Sequence, residues 1–215
     1  MDRPVQVLYL ADTDANVSGS VAGSLVANAG CPLKLHAFDT CPDRQGRGQR
    51  EPLLRSQVPL ASYLWLPRKF EEGNGATLAN LALHTFGSHI GWLPAEDRQF
   101  VAIVSGQFTF GPTWLSQCVE LLTDDVAVAE EGVSVVCPMP CEHEFQPVKL
   151  AERGALLTQA AFLGVWVTTW DFFARHGWPP PGAHPVDFYA ASMSELGERF
   201  AFFADPPVGN LREVN

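Results

Sequence analysis

The chain has 215 residues, with 14 basic against 24 acidic side chains, for a formal charge of −10 at neutral pH. Its 47% hydrophobic and only 18% charged residues exclude a disordered chain. The length suits one domain, residues 1–215, large enough to bury a sizeable core. A surface this acidic repels nucleic acid and anionic membranes, so neither is expected as the main partner.

No apolar run approaches the length of a membrane span, so no integral membrane segment is expected. The opening MDRPVQVLYLADTD has too short an apolar run, with acidic residues straight after it, to read as a signal peptide. Cys31, Cys41, Cys118, Cys137 and Cys141 are odd in number and scattered, which fits a reducing cytoplasm better than a disulfide framework.

Short apolar runs alternate with amphipathic stretches, the pattern of helices layered on a mostly parallel sheet. Residues 5–10 (VQVLYL) read as a buried strand, and residues 17–28 as a helix with Asn16 as its cap, ending at Gly30. Residues 33–38 form a second strand closing on Asp39, and the polar stretch 40–50 reads as a loop. A third strand covers 61–66, a helix 76–86 and a fourth strand 100–104. Pro112 suits the first turn of a helix running to Leu122, and 126–136 is strand-like. After a loop at 137–147, residues 154–162 read as a strand, 165–176 and 185–196 as helices, and 199–204 as a closing strand.

The order of these segments, with several local features, resembles the family-2-type glycosyltransferases of the GT-A fold. The features are Phe38-Asp39-Thr40 closing the second strand, the helix opening Gly73-Asn74-Gly75-Ala76-Thr77-Leu78-Ala79-Asn80, and Pro112-Thr113-Trp114-Leu115 after the fourth strand. The tail VDFYAASMSELGERFAFFADPPV looks like the family's acidic helix, glycine and closing strand. The resemblance implies a three-layer α/β/α domain that binds a nucleotide-sugar donor and, in the family, a divalent cation such as Mg2+ or Mn2+. Where the family carries its metal-binding Asp-x-Asp, this chain has Ser105-Gly106-Gln107, a hydroxyl and an amide in place of hard anionic ligands.

In open α/β sheets ligands bind outside the carboxyl ends of the strands. Asp12, Asp14, Asp39, Ser105 and Gln107 all follow strands and are expected along one rim. The resemblance gives Asp39 the nucleobase or ribose; it can equally bond its own turn. Asp12 and Asp14 either meet base or metal, or form a turn and a cap. Gly73 and Asn74 let a diphosphate approach the backbone at a helix start, or form an ordinary turn. Arg68 and Lys69 either neutralise phosphate or are solvated. Asp187 is the candidate general base of an inverting transfer, with His184 beside it, although a carboxylate there also suits the helix dipole. Cys137, Cys141 and His143 are three soft ligands where structural zinc takes four, so a plain Pro-rich loop is the simpler reading. Trp166, Trp170, Phe172 and Phe173 read mostly as core, and Trp92 and Trp178 as loop residues that can line an acceptor pocket.

No phosphate-binding loop, nucleophile elbow, zinc-protease helix or dinucleotide fingerprint is present in the sequence. Two readings remain. One is a small glycosyltransferase acting on an unknown acceptor. The other is a GT-A-like domain without catalysis that serves as a binding or scaffold partner, for another protein or a second copy of itself.

Overall fold

The computed structural model describes residues 3–11, 15–39, 44–65, 75–105, 108–138, 148–150, 155–158, 164–180, 183–203 and 205–210. A nine-stranded sheet runs through the molecule in the order β3-β2-β1-β4-β9-β6-β10-β8-β7. Its first four members are β3 (Leu60–Trp65), β2 (Leu33–Asp39), β1 (Val5–Ala11) and β4 (Phe100–Ser105), all parallel. β9 (Val165–Thr169) is antiparallel to both β4 and β6 (Val133–Cys137). β10 (Arg199–Phe203) is parallel to β6, and β8 (Ala155–Thr158) and β7 (Val148–Leu150) close the far edge antiparallel. Only β8 and β9 therefore run against the common direction. A separate ribbon pairs β5 (Phe108–Phe110) with β11 (Val208–Asn210).

The alternation of β1 sends Val5, Val7 and Tyr9 to one face and Leu8 and Leu10 to the other, and all are buried because helices cover both faces. On the first face lie α1 (Ala15–Ala27), α2 (Arg44–Gln57) and α4 (Trp114–Leu122), through Val21, Leu25, Leu54, Trp114 and Cys118. On the second lie α3 (Gly75–Gly91), α5 (Trp170–His176) and α6 (Pro185–Leu196), through Phe86, Ile90, Phe172, Tyr189 and Met193. This is the three-layer α/β/α arrangement with a mostly parallel sheet.

Helices α1 and α4 satisfy each other's ends. The Trp114 and Ser116 amides, orphans at the start of α4, donate to the Asn28 and Ala29 carbonyls just past α1 at 3.2 and 3.0 Å. The buried Trp114 indole donates to the Leu25 carbonyl at 3.0 Å. This junction holds Thr113 at φ 60°, the only positive φ outside glycine among the described residues. Gly30, at φ 75°, faces it so closely that an added Cβ would lie 2.8 Å from the Thr113 Cα.

Several segments differ from the sequence expectation. The polar stretch expected as a loop enters α2 at Arg44. Gly46, Gly48 and Pro52 signalled a break, but Arg50, Leu54 and Val58 fall at helical spacing and are buried against the sheet. The expected helix over 165–176 is strand β9 followed by the shorter α5. Val165, Val167 and Thr168 are β-branched and fully buried between β4 and β6, and that packing outweighs the apolar periodicity. The strand expected over 126–136 begins only at Val133, after Gly132 at φ 71°. Before it, Val126–Glu130 forms one wide helical turn, with the Ala127 amide bonded to Asp124 Oδ1 at 2.9 Å. Asn16 lies inside α1 and so is not its cap, and Pro112 precedes the Thr113 N-cap of α4. Helix 185–196 and strands β1, β2 and β4 agree with the expectation to within one residue.

Candidate functional site

The register of the parallel strands builds a rim at their carboxyl ends. Trp65 pairs with Asp39, Asp39 with Ala11, and Leu10 with Ser105, so the ends of β3, β2, β1 and β4 stand in a row. With strands about 4.8 Å apart, the Asp39 and Ser105 backbones sit roughly 10 Å from each other across β1. Asp12, Gly73, Asn74, Gly106 and Gln107 lie outside the described residues, as do Asp14, Arg68, Lys69, Cys141 and His143. In sequence, Asp12 directly follows β1, and Gly106 and Gln107 link β4 to β5.

Asp39 is fully buried and engaged on both oxygens. Arg50 Nη1 donates to its Oδ1 at 2.9 Å, and the Tyr63 hydroxyl donates to its Oδ2 at 2.5 Å. Arg50, 4% exposed, also donates to the Ala11 carbonyl at 3.3 Å, crossing from β2 to the end of β1. Burial, together with the hydrogen bond to Asp39 and its negative charge, raises the Tyr63 phenol well above its ordinary value, so it stays a donor. Asp39 is thus more than a turn former: it is the anion of a buried carboxylate, guanidinium and phenol cluster spanning β1, β2, β3 and α2. No motif marks Arg50, which sits in the stretch read as a loop. Its only signal was its spacing from Leu54 and Val58.

Ser105 ends β4, where its amide donates to the Gly164 carbonyl at 2.8 Å and ties β4 to the start of β9. Beyond the two-residue link, β5 is anchored by buried Phe108 and Phe110 and by the Asn28 side chain, which donates to the Phe110 carbonyl at 2.6 Å. Both flanks of Ser105-Gly106-Gln107 are therefore fixed to the sheet. A hydroxyl and an amide do not supply the hard anionic donors of a divalent cation, and Asp39 is committed to Arg50 and Tyr63. These donors do not fit such an ion.

Asp187 is exposed in the first turn of α6, behind the exposed N-cap His184 and the buried Pro185. It makes no side-chain hydrogen bond or ion pair among the described residues. The position of this turn is set from α3. Asn80 Nδ2 donates to the Ala183 carbonyl at 2.7 Å and to that of Pro180 at 3.4 Å. One turn on, His84 Nε2 donates to the Pro179 carbonyl at 3.1 Å. Gly87 completes the stripe, because a Cβ there would fall 2.3 Å from the Trp178 ring. As the chain climbs from Trp178 to Ala183 it descends in α3 numbering from Gly87 to Asn80. The start of α6 is thereby carried toward the start of α3, on the rim side of the molecule.

The aromatic residues of this layer are mostly core, as expected: Trp166 is 2% exposed and Phe172 is fully buried. Trp178 stacks on Phe173, their centroids 4.8 Å apart, while Trp92 stands 91% exposed. Cys137, at the end of β6, is buried in the second core. Two other polar features lie away from the rim. His176 bridges Ser192 Oγ at 2.7 Å and Glu198 Oε2 at 2.8 Å beside the first residue of β10. A cleft lined by Gly30, Cys31, Ser116, Glu120 and Thr123 opens at the amino end of β2.

The sheet order, the reversed β9 and the two helical layers together define a GT-A-type glycosyltransferase fold. Solved structures with it align over nearly the whole chain at low identity. GalNAc-T7 with UDP, GalNAc and Mn2+ aligns with TM-score 0.61 and 10% identity over 97% of this chain and 44% of its own. The mannosyltransferase PcManGT from Pyrobaculum calidifontis, in complex with GDP-Man and Mn2+, gives 0.59 and 13% over 97% and 57%. TarS of S. aureus gives 0.57 and 14% over 96% and 36%. The chain therefore spans between 36% and 57% of the length of these proteins. It matches no protein-family profile and no curated protein sequence. Among the described residues no helix is long and apolar enough to cross a membrane.

Proposed function

We propose that residues 1–215 form one unit that binds a nucleotide-diphospho-sugar along the carboxyl rim of the sheet and transfers its sugar to an acceptor hydroxyl with inversion. The observation that carries this reading is the row Trp65, Asp39, Ala11 and Ser105 at the ends of four parallel strands, where ligands of wound sheets bind. In it, Asp39 holds Arg50 and Tyr63 in place from within the buried cluster, and the partly exposed Tyr63 presents that cluster to the base and ribose. Asp12, Ser105 and Gln107 flank the diphosphate, and Gly73 and Asn74 bring it to the amides opening α3. Asp187 accepts the proton of the acceptor hydroxyl as its oxygen bonds to the anomeric carbon. On the opposite side the bond from that carbon to the diphosphate oxygen breaks, and its electron pair leaves with the nucleoside diphosphate. Leaving-group charge is met by backbone amides rather than by a cation.

Calorimetric titration with UDP and GDP, with and without Mn2+, tests the reading, followed by diphosphate release from UDP- and GDP-hexoses. Metal-independent binding is expected, with Asp39→Ala abolishing it and Asp187→Asn lowering turnover by at least a hundredfold while binding persists. No binding in either condition overturns the reading. Binding without turnover of any donor makes the domain a non-catalytic binding or scaffold unit.

A further inference from the structure

We infer that Asn80 is a positioning residue of the transfer: from α3 it fixes the first turn of α6 and so the place of Asp187. The inference rests on the transferase reading above. Asn80 is 4% exposed, and its side-chain amide donates to two carbonyls, Pro180 and Ala183, that lie seven and four residues before Asp187. His84 and Gly87 hold Pro179 and Trp178 on the same helix face. An Asx side chain on an α-helix has little reach of its own, so its two acceptors are set by how Pro180 and Ala183 pass over α3. In turn, that path sets where α6 begins. Among the described residues, no hydrogen bond other than those of Asn80 and His84 ties Pro179, Pro180, Ala183 or His184 to α3. Among the described residues the Asn80 oxygen is buried without a partner, a cost of about 1–3 kcal/mol for a buried polar atom.

The chemistry explains why the position matters. Asp187 is exposed and has no side-chain partner among the described residues, so none of these aims its carboxylate. Its placement relative to the rim comes from the backbone of α6 alone. A general base must come within hydrogen-bond reach of the proton it takes, and a displacement near 1 Å can lower rate about a hundredfold. Asn80 touches neither donor nor acceptor in this arrangement, so it acts through Asp187.

Asn80→Asp keeps the shape but turns the donor into a charged acceptor facing two carbonyls. In diphosphate-release assays with UDP- and GDP-hexoses, Asn80→Asp is expected to lower kcat at least tenfold with donor KM within twofold. In an Asp187→Asn background it is expected to cause no further loss. An equal loss in both backgrounds, or a raised KM with kcat unchanged, overturns the inference. Should Asn80→Asp not fold, His84→Phe removes only the Pro179 bond and is expected to give a smaller loss with the same dependence on Asp187. Hydrogen exchange of the full chain separates this inference from the transferase reading. Amides in the first turn of α6 are expected to exchange at least tenfold faster in Asn80→Asp while those of β1 are unchanged. If no donor turns over, the transferase reading fails and the catalytic role with it; unchanged exchange at α6 overturns the clamp itself.

Discussion

His36 gives the protein a stability that depends on pH over a defined window. It lies on β2, 2% exposed, with Nδ1 accepting from the Ser62 hydroxyl at 2.8 Å and Nε2 donating to Gln6 Oε1 at 2.9 Å. Gln6 in turn donates to the Asp97 carbonyl at 2.6 Å, so a neutral ring completes a chain of bonds from β3 through β2 and β1 to the turn before β4. Burial first, then the nearby His89 and Lys34 charges, lower His36 from 6.5 to about 4. In the unfolded chain the ring charges below 6.5, whereas in the folded protein it stays neutral until about 4. The unfolded state therefore binds the extra proton throughout that window, and stability falls as pH falls. At 1.36 kcal/mol per pKa unit, the loss is about 2 kcal/mol between pH 7 and pH 5, approaching about 3 kcal/mol below pH 4. Urea denaturation at pH 7, 6 and 5, for the wild type and for His36→Gln, measures it. The variant should lose the slope between pH 7 and 5 while paying a smaller constant cost. Equal slopes in the two proteins would refute the assignment. Glu198 does not confuse this window. Burial raises its carboxyl, but Ser134, His176 and Arg175 outweigh that and hold it below 4.5, so its stabilisation is lost only at lower pH.

The Asp39–Arg50 pair is buried on both sides, so Arg50→Met should cost about 3–5 kcal/mol by leaving the Asp39 charge without its cation. The double variant Asp39→Asn/Arg50→Met should cost much less than the sum of the two single changes in denaturation experiments. A loss below about 1 kcal/mol for Arg50→Met would contradict the buried cluster. Thr113 holds a left-handed φ of 60° with a β-branched side chain, so Thr113→Gly should raise stability by about 0.5–1 kcal/mol, net of the glycine's unfolded-state entropy. Calorimetric melting checks it, and a lowered melting temperature would show that the Thr113 hydroxyl contacts outweigh the strain.

The order of strands and helices was legible because fully buried parallel strands must be continuous apolar runs. Val5–Ala11 and Phe100–Ser105 are such runs, and they could only be central. Asp39 was legible for the same reason, as the first polar group past an apolar run. Its partners were not. Arg50 sits in a segment whose glycines and proline mask a helix, and Tyr63 is one aromatic among several on β3. What joined them was the pairing register of β2 with β1 and β3, a long-range property. β9 was misread because VWVTT carries the same apolar density as the helix that follows, and only its place between β4 and β6 makes it extended.

The sequence by itself therefore determined the layers, the direction of the central strands and the set of polar residues available at their ends, since burial dictates apolar pattern locally. Tertiary structure alone decided which of those polar groups are spent on each other and which face outward. Asp39 is consumed by Arg50 and Tyr63, while Asp187 is left exposed and is held in place from α3 by Asn80. The physical reason is that hydrogen-bond partners 11, 24 and 103 residues apart meet only once the sheet has fixed the distance between them.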